Sequence, residues 1–253
     1  MDTDARFAWT ELTTTDTEKA ARFYARILGW ERAARPMRTP SGRLIEYSLF
    51  RVGERQAAGM YAMIRAQRQQ GVQPSWISYV FVADAAETGA RAVRLGGAVL
   101  VPPVTVLDLG RLSILRDPTG ASVGLWQPGR LGHGFQTRGE TGFPCWTEHV
   151  SPDPTRAARF YAELCGWTLR EQGGVTVAEL AGSPVAGLRA SAPAAEVAPQ
   201  WVSHFQVADC AASCTSVTDF LGTVLVPPAS STPTARAAIA RDPQGVVFGL
   251  RQP

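Results

Sequence analysis

The sequence is poor in the residues that mark several common classes of protein. Its four cysteines form no Cys-x-x-Cys pair, its histidines number three, and Lys19 is its single lysine. No apolar run is long enough to span a bilayer, and the N-terminus lacks the basic start and apolar centre of a signal peptide. The sequence therefore predicts a cytoplasmic protein with no membrane partner and no redox cysteine motif.

A concentrated charge of one sign is also missing. The 25 basic and 22 acidic residues are interspersed and leave a net charge of +3, so no basic stripe offers itself to nucleic acid. With 45% hydrophobic residues, the 253-residue chain is large enough for one or two globular domains with real cores.

The strongest signal is an internal repeat. Trp9-Thr10-Glu11 recurs as Trp146-Thr147-Glu148, and the segment AARFYA recurs at 20–25 and 157–162. A later stretch repeats as well, in the segments VLVPP at 99–103 and 224–228 and RDP at 116–118 and 241–243. Residues 129–142 between the copies are glycine-rich and polar. We predict two tandem domains, 1–128 and 143–253, joined by a linker over 129–142.

Each half divides into two modules with the same pattern, a strand followed by a helix and three further strands. Asp16 and Asp153 stand where helix N-caps belong, Pro154 follows at the first helical position, and Gly29 ends the first helix. The predicted first strands of the four modules are Phe7–Thr13, Ile77–Val82, Cys145–Val150 and Val202–Val207. The pattern predicts an α+β fold with helices on one face of an antiparallel sheet.

These motifs resemble a known family. FYxxxxGW at 23–30, the DPxG turns at 117–120 and 242–245, and the two strands that end in Gln-Pro are similar to the vicinal oxygen chelate superfamily. That superfamily includes glyoxalase I, extradiol dioxygenases and bleomycin-resistance proteins. The resemblance covers nearly the whole chain and implies paired βαβββ modules that curl into an open barrel, with one pocket in each half.

The resemblance also implies where metal ligands would stand in metal-dependent members, on the first and last strands of a module. In this sequence those positions hold Trp9, Ser78, Gly124, Trp146, Ser203 and Gly249. None of these side chains supplies a metal ligand, and a divalent ion needs three or four converging donors. We therefore expect no metal and no cofactor.

Strand alternation predicts what the first pocket offers instead. One carboxyl group and one phenol lie between aromatic walls, which suits a flat, partly polar ligand. A carboxyl group in such a pocket is disfavoured in its charged form and could exchange protons near neutral pH. The predicted lining residues are Trp9, Glu11, Tyr47, Tyr61, Ser78 and Trp126.

The second pocket is predicted from the repeat to contain Trp146, Glu148 and Arg251. Because Glu148 stands in the place of Glu11, both acids could instead serve the fold through internal hydrogen bonds. Trp126 corresponds to Arg251, and Tyr61 corresponds to Arg189. These asymmetries predict that the halves have diverged and that the first pocket is the more aromatic one.

His149 and His204 are predicted by alternation to point away from the pockets, toward the helices. A buried structural role is favoured for both. A local bulge would turn His149 into the pocket, so it is kept as a candidate acid or base.

The sequence favours a metal-independent enzyme that performs acid/base chemistry on a bulky aromatic, polyketide-like molecule, by dehydration, cyclisation or isomerisation. Glu11 would act as base or acid, Tyr61 would be its partner, and Trp9 and Trp126 would stack on the ligand. Two alternatives remain open, a drug- or metabolite-binding protein without catalysis and a metal-dependent glyoxalase-like enzyme. The expected partner is an aromatic small molecule, and a homodimer is left open.

Overall fold

The computed structural model describes residues 5–39, 42–130, 134, 138–191, 197–232 and 235–253. Both halves consist of strands with one helix after the first strand of every module, which confirms the predicted α+β class and the βαβββ modules. Of the predicted linker, 131–133 and 135–137 lie outside the described residues, and the predicted domain boundaries stay a prediction.

The first half contains modules one and two. Its elements are β1 (Phe7–Thr14), α1 (Thr17–Leu28), β2 (Glu31–Arg38), β3 (Leu44–Val52), β4 (Arg55–Ala62), α2 (Arg65–Gln69), β5 (Ser75–Phe81), α3 (Ala85–Arg94), β6 (Ala98–Val106), β7 (Gly110–Arg116) and β8 (Ser122–Pro128). The short helix α2 stands between the two modules.

The second half contains modules three and four. Its elements are β9 (Pro144–Ser151), α4 (Pro154–Cys165), β10 (Thr168–Gln172), β11 (Val175–Leu180), β12 (Ser183–Ala190), β13 (Gln200–Gln206), α5 (Cys210–Asp219), β14 (Thr223–Thr232), β15 (Ala235–Arg241) and β16 (Val247–Gln252). All four predicted first strands are confirmed to within two residues.

The strands of each half form one eight-stranded sheet. The strand orders are β2-β3-β4-β1-β5-β8-β7-β6 and β10-β11-β12-β9-β13-β16-β15-β14. The prediction of an antiparallel sheet is wrong in one respect, because the first strand of each module pairs in parallel with the last. In each module the helix returns the chain, so the second strand runs in the same direction as the first. The third strand runs the opposite way, and the fourth strand runs in the direction of the first again.

Helix α1 begins and ends as its sequence predicts. The Asp16 side chain accepts a hydrogen bond from the Lys19 backbone N–H at 3.0 Å, and Gly29 ends the helix in the left-handed conformation at φ +69°. Helix α4 repeats both features with Asp153 and Gly166. These caps fix where each helix leaves the sheet and therefore which face it covers.

The chain divides into two compact units that do not follow the halves of the sequence. Unit 1 contains Ile77–Gly134, Trp146–Val202 and the chain up to Trp9, which are mainly modules two and three. Unit 2 contains Thr10–Trp76, Phe135–Cys145 and Ser203–Pro253, which are mainly modules one and four. Each unit therefore combines one module from each half.

The core of unit 2 shows this combination. Phe23 and Tyr24 of α1 belong to the same buried cluster as Phe205, Cys210 and Phe248 of module four. The two cysteines of α5, Cys210 and Cys214, are thus small buried core residues. Within the described part of the chain, no helix is both long and apolar enough to cross a bilayer.

Candidate functional site

The cross-strand register of module one brings its acid and its phenols onto one face. Thr13 of β1 lies opposite Tyr61 of β4, and Tyr61 lies opposite Tyr47 of β3. Glu11 is two residues before Thr13, so its side chain leaves the same face of the sheet. Glu11, Tyr47 and Tyr61 are all half-buried, which keeps this acid–phenol cluster within reach of a small molecule.

Hydrogen bonds connect the acid–phenol cluster. The Tyr47 hydroxyl donates to Oε2 of Glu11 at 2.7 Å. Burial and then the charge of Glu11 raise the pKa of Tyr61, while hydrogen bonds with Thr13 and Gln67 oppose the rise. Tyr61 therefore holds its proton firmly in the resting protein. A hydrogen-bonded carboxyl group beside a protonated phenol is a pair that can take and give protons.

The equivalent acid of the second half has a different neighbour. Arg189 of β12 lies opposite Val150 of β9, just as Tyr61 lies opposite Thr13. Its Nε donates to Oε2 of Glu148 at 2.7 Å, in an ion pair whose side chains are 27% and 13% exposed. A guanidinium stays protonated under all ordinary conditions, so it holds Glu148 as a carboxylate.

Module two holds further predicted site residues, and the register corrects one of them. Tyr79 of β5 lies opposite Gly124 of β8, and Phe81 lies opposite Trp126. Gly124 and Trp126 therefore share a face with Tyr79. Ser78 points to the opposite face and is fully buried, so the prediction that it shares a face with Trp126 is wrong. Strand alternation alone allows Ser78 to lie on either face of the sheet, and only the pairing of β5 with β8 decides between the two faces.

The other predicted ligand-binding residues occupy half-buried positions. Trp9 lies on the face of β1 that carries Glu11, and Trp146 holds the same place in β9. The indole N–H of Trp126 is buried and finds no acceptor among the described residues. Arg251 of β16 lies opposite Gln206 of β13. Their roles in ligand binding stay predictions.

Sequence reasoning missed Tyr79 and His204. A Cβ atom on Gly124 would lie 2.2 Å from the Tyr79 ring, and one on Gly249 would lie 2.2 Å from the His204 ring. Each ring thus occupies the space that a side chain on the last strand would need. His204 shares a face with Gly249, so the prediction that it points toward the helices is wrong. The paired glycines were the available signal, since a glycine in a strand often admits a bulky neighbour.

The family resemblance implies a divalent metal in some members, but the residues of this chain do not fit a metal site. No group of three or more His, Cys, Asp or Glu side chains converges in the described part of the chain. The glycine positions of the last strands carry no donor, and aromatic or imidazole rings fill the space beside them. A divalent ion requires several converging donors of these types. These side chains therefore do not support a reaction that depends on a bound metal.

His149 lies in a buried cluster of unit 1. Its Nε2 is 2.8 Å from Oδ2 of Asp117, the aspartate of the first DPxG turn, and both side chains are fully enclosed. Tyr161 donates to the same carboxyl oxygen at 3.0 Å, and the Trp201 indole N–H donates to the Tyr161 hydroxyl at 2.7 Å. This position on the helix side of the sheet agrees with the buried role that alternation favoured. Its candidacy as an acid or base stays a prediction.

The charge state of this cluster follows from its contacts. Burial alone would raise the pKa of Asp117, but the hydrogen bond and charge of His149, with hydrogen bonds from Thr119, bring it below the ordinary value. The cluster therefore favours an aspartate anion beside an imidazole.

Unit 2 repeats the cluster without the histidine. Trp76 donates to the Tyr24 hydroxyl at 3.0 Å, and Tyr24 donates to Asp242 at 3.2 Å. Leu12 stands at the repeat position of His149. Burial raises the pKa of Asp242, and hydrogen bonds from the Val246 and Gln244 backbone and from Tyr24 only partly offset it.

A surface groove elsewhere in unit 1 contains none of the predicted site residues. It has a volume of about 380 Å³ and is lined by Leu95, Pro118, Asp153, Thr155, Arg156, Arg159, Phe160 and Glu163. Charges of both signs border it, so it favours no particular class of ligand.

Known proteins are similar to this chain in sequence over nearly its whole length. Residues 6–125 and 146–250 match the family model described as Glyoxalase/Bleomycin resistance protein/Dioxygenase superfamily. The glyoxylase-like protein CFP32 of Mycobacterium tuberculosis is 32% identical, over 97% of this chain and 94% of that protein. The anthracycline biosynthesis protein DauV of Streptomyces sp. strain C5 is 30% identical, over 96% of this chain and 91% of that protein.

Solved structures show the same fold at low sequence identity. The Mn(II)-bound glyoxalase of Novosphingobium aromaticivorans aligns with a TM-score of 0.63 and 11% identity, over 100% of this chain and 83% of that one. The 2,3-dioxygenase LapB of Pseudomonas sp. KL28 aligns with a TM-score of 0.61 and 14% identity, over 100% of this chain and 94% of that one.

Proposed function

Because the chain belongs to the Glyoxalase/Bleomycin resistance protein/Dioxygenase superfamily, we propose that it is a small-molecule enzyme of that superfamily that works by proton transfer without a metal. Its substrate is a planar aromatic compound of the polyketide type. The reaction is an isomerisation, a dehydration or a cyclisation, all of which begin with removal of a proton next to a carbonyl group.

One observation carries the proposal, the contrast between the two repeated acids. Glu11 is hydrogen-bonded by the neutral Tyr47 hydroxyl and lies near protonated Tyr61. Glu148 is paired with the permanent cation Arg189. A carboxylate held by an arginine is a weak base, whereas one held by a phenol keeps more of its basicity. The first half therefore has the better proton acceptor.

The reaction follows from these two groups. Glu11 takes a proton from the carbon beside a substrate carbonyl, and Tyr61 donates its hydroxyl proton to the carbonyl oxygen, which gives an enol. Return of the proton from Glu11 to a different carbon gives an isomer. Transfer of that proton to a departing hydroxyl group releases water. Attack of the enol carbon on a second carbonyl closes a ring, and the proton on Glu11 then passes to the new alkoxide oxygen. In each case Tyr61 recovers its proton when the carbonyl re-forms.

The substrate class is supported by similarity and by composition. DauV and the Streptomyces peucetius protein DnrV are both named as anthracycline biosynthesis proteins, and anthracyclines are planar aromatic polyketides. Trp9 stands two residues before Glu11 on β1, where an indole can stack on a flat ring system.

The test is turnover of planar polyketides by the purified chain, followed by mass spectrometry and chromatography of the products. A product isomeric with the substrate, or lighter by one water, is expected. Glu11→Gln keeps the size of the side chain and removes the base, so product formation should stop while ligand binding, followed by Trp fluorescence, persists. Full activity of Glu11→Gln on such a substrate would refute the assignment.

A binding protein is the second candidate, and the buried, unpartnered indole N–H of Trp126 favours it. A ligand carbonyl could accept from that donor without undergoing any reaction. Recovery of every tested ligand unchanged after long incubation, together with tight binding that Trp126→Phe weakens, would establish this function in place of the first.

A further inference from the structure

Helix α2 is a feature of the first half alone among the described residues. It lies between β4 and β5, and no described helix stands between the equivalent strands β12 and β13 of the second half. Gln67 is half-buried on this helix, whereas Gln69 is exposed. The added segment therefore brings one partly covered amide to the end of β4, where Tyr61 lies.

The orientation of the Gln67 amide is fixed by its own backbone. The Ile64 N–H donates to Oε1 of Gln67 at 3.0 Å. Only the oxygen of the amide can accept that bond, so the nitrogen must point the other way. This nitrogen, Nε2, lies 3.3 Å from the Tyr61 hydroxyl. Because an amide nitrogen donates and cannot accept, the Tyr61 oxygen is the acceptor, and its own proton points elsewhere.

The groups that face the Tyr61 hydroxyl show where that proton can go. Glu11 on β1, Tyr47 on β3 and Arg35 on β2, which lies opposite Tyr47, share its face of module one, with Glu31 and Arg51 farther along the strands, and Thr13 lies opposite it. The hydrogen bond from Gln67 stabilises the phenolate and opposes the effects of burial and of Glu11 on the pKa of Tyr61. A hydrogen bond donated to a phenol oxygen also strengthens the hydrogen bond that the phenol itself donates, which makes the phenol a better proton donor.

We propose that Gln67 is a positioning residue for Tyr61: its amide holds the phenol oxygen and directs the phenol proton toward the face that carries Glu11. The role of that proton in a reaction rests on the proposed function, whereas the hydrogen bond itself does not. Helix α2 is then the element of the first half that carries this hydrogen-bond donor.

The direct test measures the titration of Tyr61 without any substrate. The chain is labelled with 3-fluorotyrosine, which ionises nearer to neutrality than tyrosine, and the ¹⁹F signal of residue 61 is identified by its loss in Tyr61→Phe. Gln67→Leu should raise the midpoint of this signal by about one pH unit, since a hydrogen bond to a charged group is lost. Gln69→Leu, an equal change on the same helix, should leave the midpoint where it was.

The second readout is catalysis on a substrate that the chain turns over. Gln67→Leu should lower kcat about tenfold with little change in KM, because proton donation and not binding is weakened. An unchanged ¹⁹F midpoint in Gln67→Leu would overturn the inference, whatever the activity. A raised midpoint with full activity in Glu11→Gln would support the role of Gln67 and reject the proposed function, so the two failures are distinguishable.

Discussion

The two units contain the same buried chain of hydrogen bonds, from tryptophan to tyrosine to aspartate, with a different residue at one repeat position. In unit 1 that position holds His149, which is hydrogen-bonded to Asp117. In unit 2 it holds Leu12. The pKa of Asp117 is lowered and that of Asp242 is raised. The residue at this repeat position thus separates an aspartate whose pKa a neighbouring histidine lowers from one whose pKa burial raises.

The repeated glutamates also differ in the residue that contacts them. Glu11 and Glu148 occupy equivalent places, but a tyrosine contacts one and an arginine the other. A repeated residue therefore does not have a repeated chemical character, because the neighbour decides its charge and basicity.

Loss of the histidine that is hydrogen-bonded to Asp117 should have the largest effect. His149→Leu copies the unit 2 arrangement into unit 1 and leaves Asp117 buried with one partner fewer. We expect the free energy of unfolding to fall by about 3 kcal/mol, near the low end for a broken buried pair, since Asp117 keeps other donors. Denaturant unfolding measures the change.

A double-mutant cycle sharpens this comparison. Asp117→Asn together with His149→Leu should cost less than the sum of the two single changes, because the second removes a residue that has already lost its partner. Strictly additive costs would show that the two side chains do not interact.

Removal of the base should have the next largest effect. Glu11→Gln is expected to lower kcat by about 100-fold, within the range for a general base. Glu148→Gln should cause a much smaller loss. Steady-state kinetics on the same substrate compares the two, and equal losses would mean that the arginine contact does not distinguish the acids.

Acid should affect the two aspartates in opposite directions. The folded pKa of Asp117 is below the ordinary value of 3.8, so the stability it contributes is full above pH 3.8 and is lost as the pH falls toward its folded value. The folded pKa of Asp242 is above 3.8, so its ionisation lowers stability as the pH rises from 3.8 through the folded value.

Unfolding curves from below pH 3.8 to neutral pH test this contrast. Asp117→Asn should destabilise the protein most at neutral pH and least in acid. Asp242→Asn should remove the stability loss that accompanies ionisation above pH 3.8, so its cost relative to the parent protein should shrink as the pH rises. The same pH profile for both variants would contradict the opposite shifts.

The smallest effect is expected at the partly exposed ion pair. Arg189→Gln should lower the free energy of unfolding by no more than about 1 kcal/mol, because water screens a pair at this level of exposure. A loss of several kcal/mol would mean that Glu148 is far less solvated than its exposure suggests.

Much of the fold could be predicted from the sequence because its signals are local. The cap residues Asp16, Asp153 and Gly29, and the DPxG turns, act within a few neighbouring residues, and the repeat shows each of them twice. The family, the module pattern and the four first strands followed from them. The parallel pairing within modules was missed, because it depends on where a helix returns the chain.

The site was less predictable because it depends on cross-strand register. Module one had the FYxxxxGW landmark, and there Glu11, Tyr47 and Tyr61 do share a face. Module two lacks that landmark, and the face of Ser78 was assigned wrongly by one residue, with Tyr79 in the place expected for it. The bond between His149 and Asp117 joins residues 32 apart in different modules, and no sequence spacing encodes it.

The pairing of modules across the halves has a consequence for the order in which the chain can fold. As it leaves the ribosome, module one emerges early, but the core that covers it includes Phe248 and Leu250 of β16 in module four. Phe23 of helix α1 therefore lacks part of its buried surroundings until module four has been synthesised. Modules two and three can close unit 1 sooner. Translation thus leaves the unit with the acid–phenol cluster as the later of the two to complete its core.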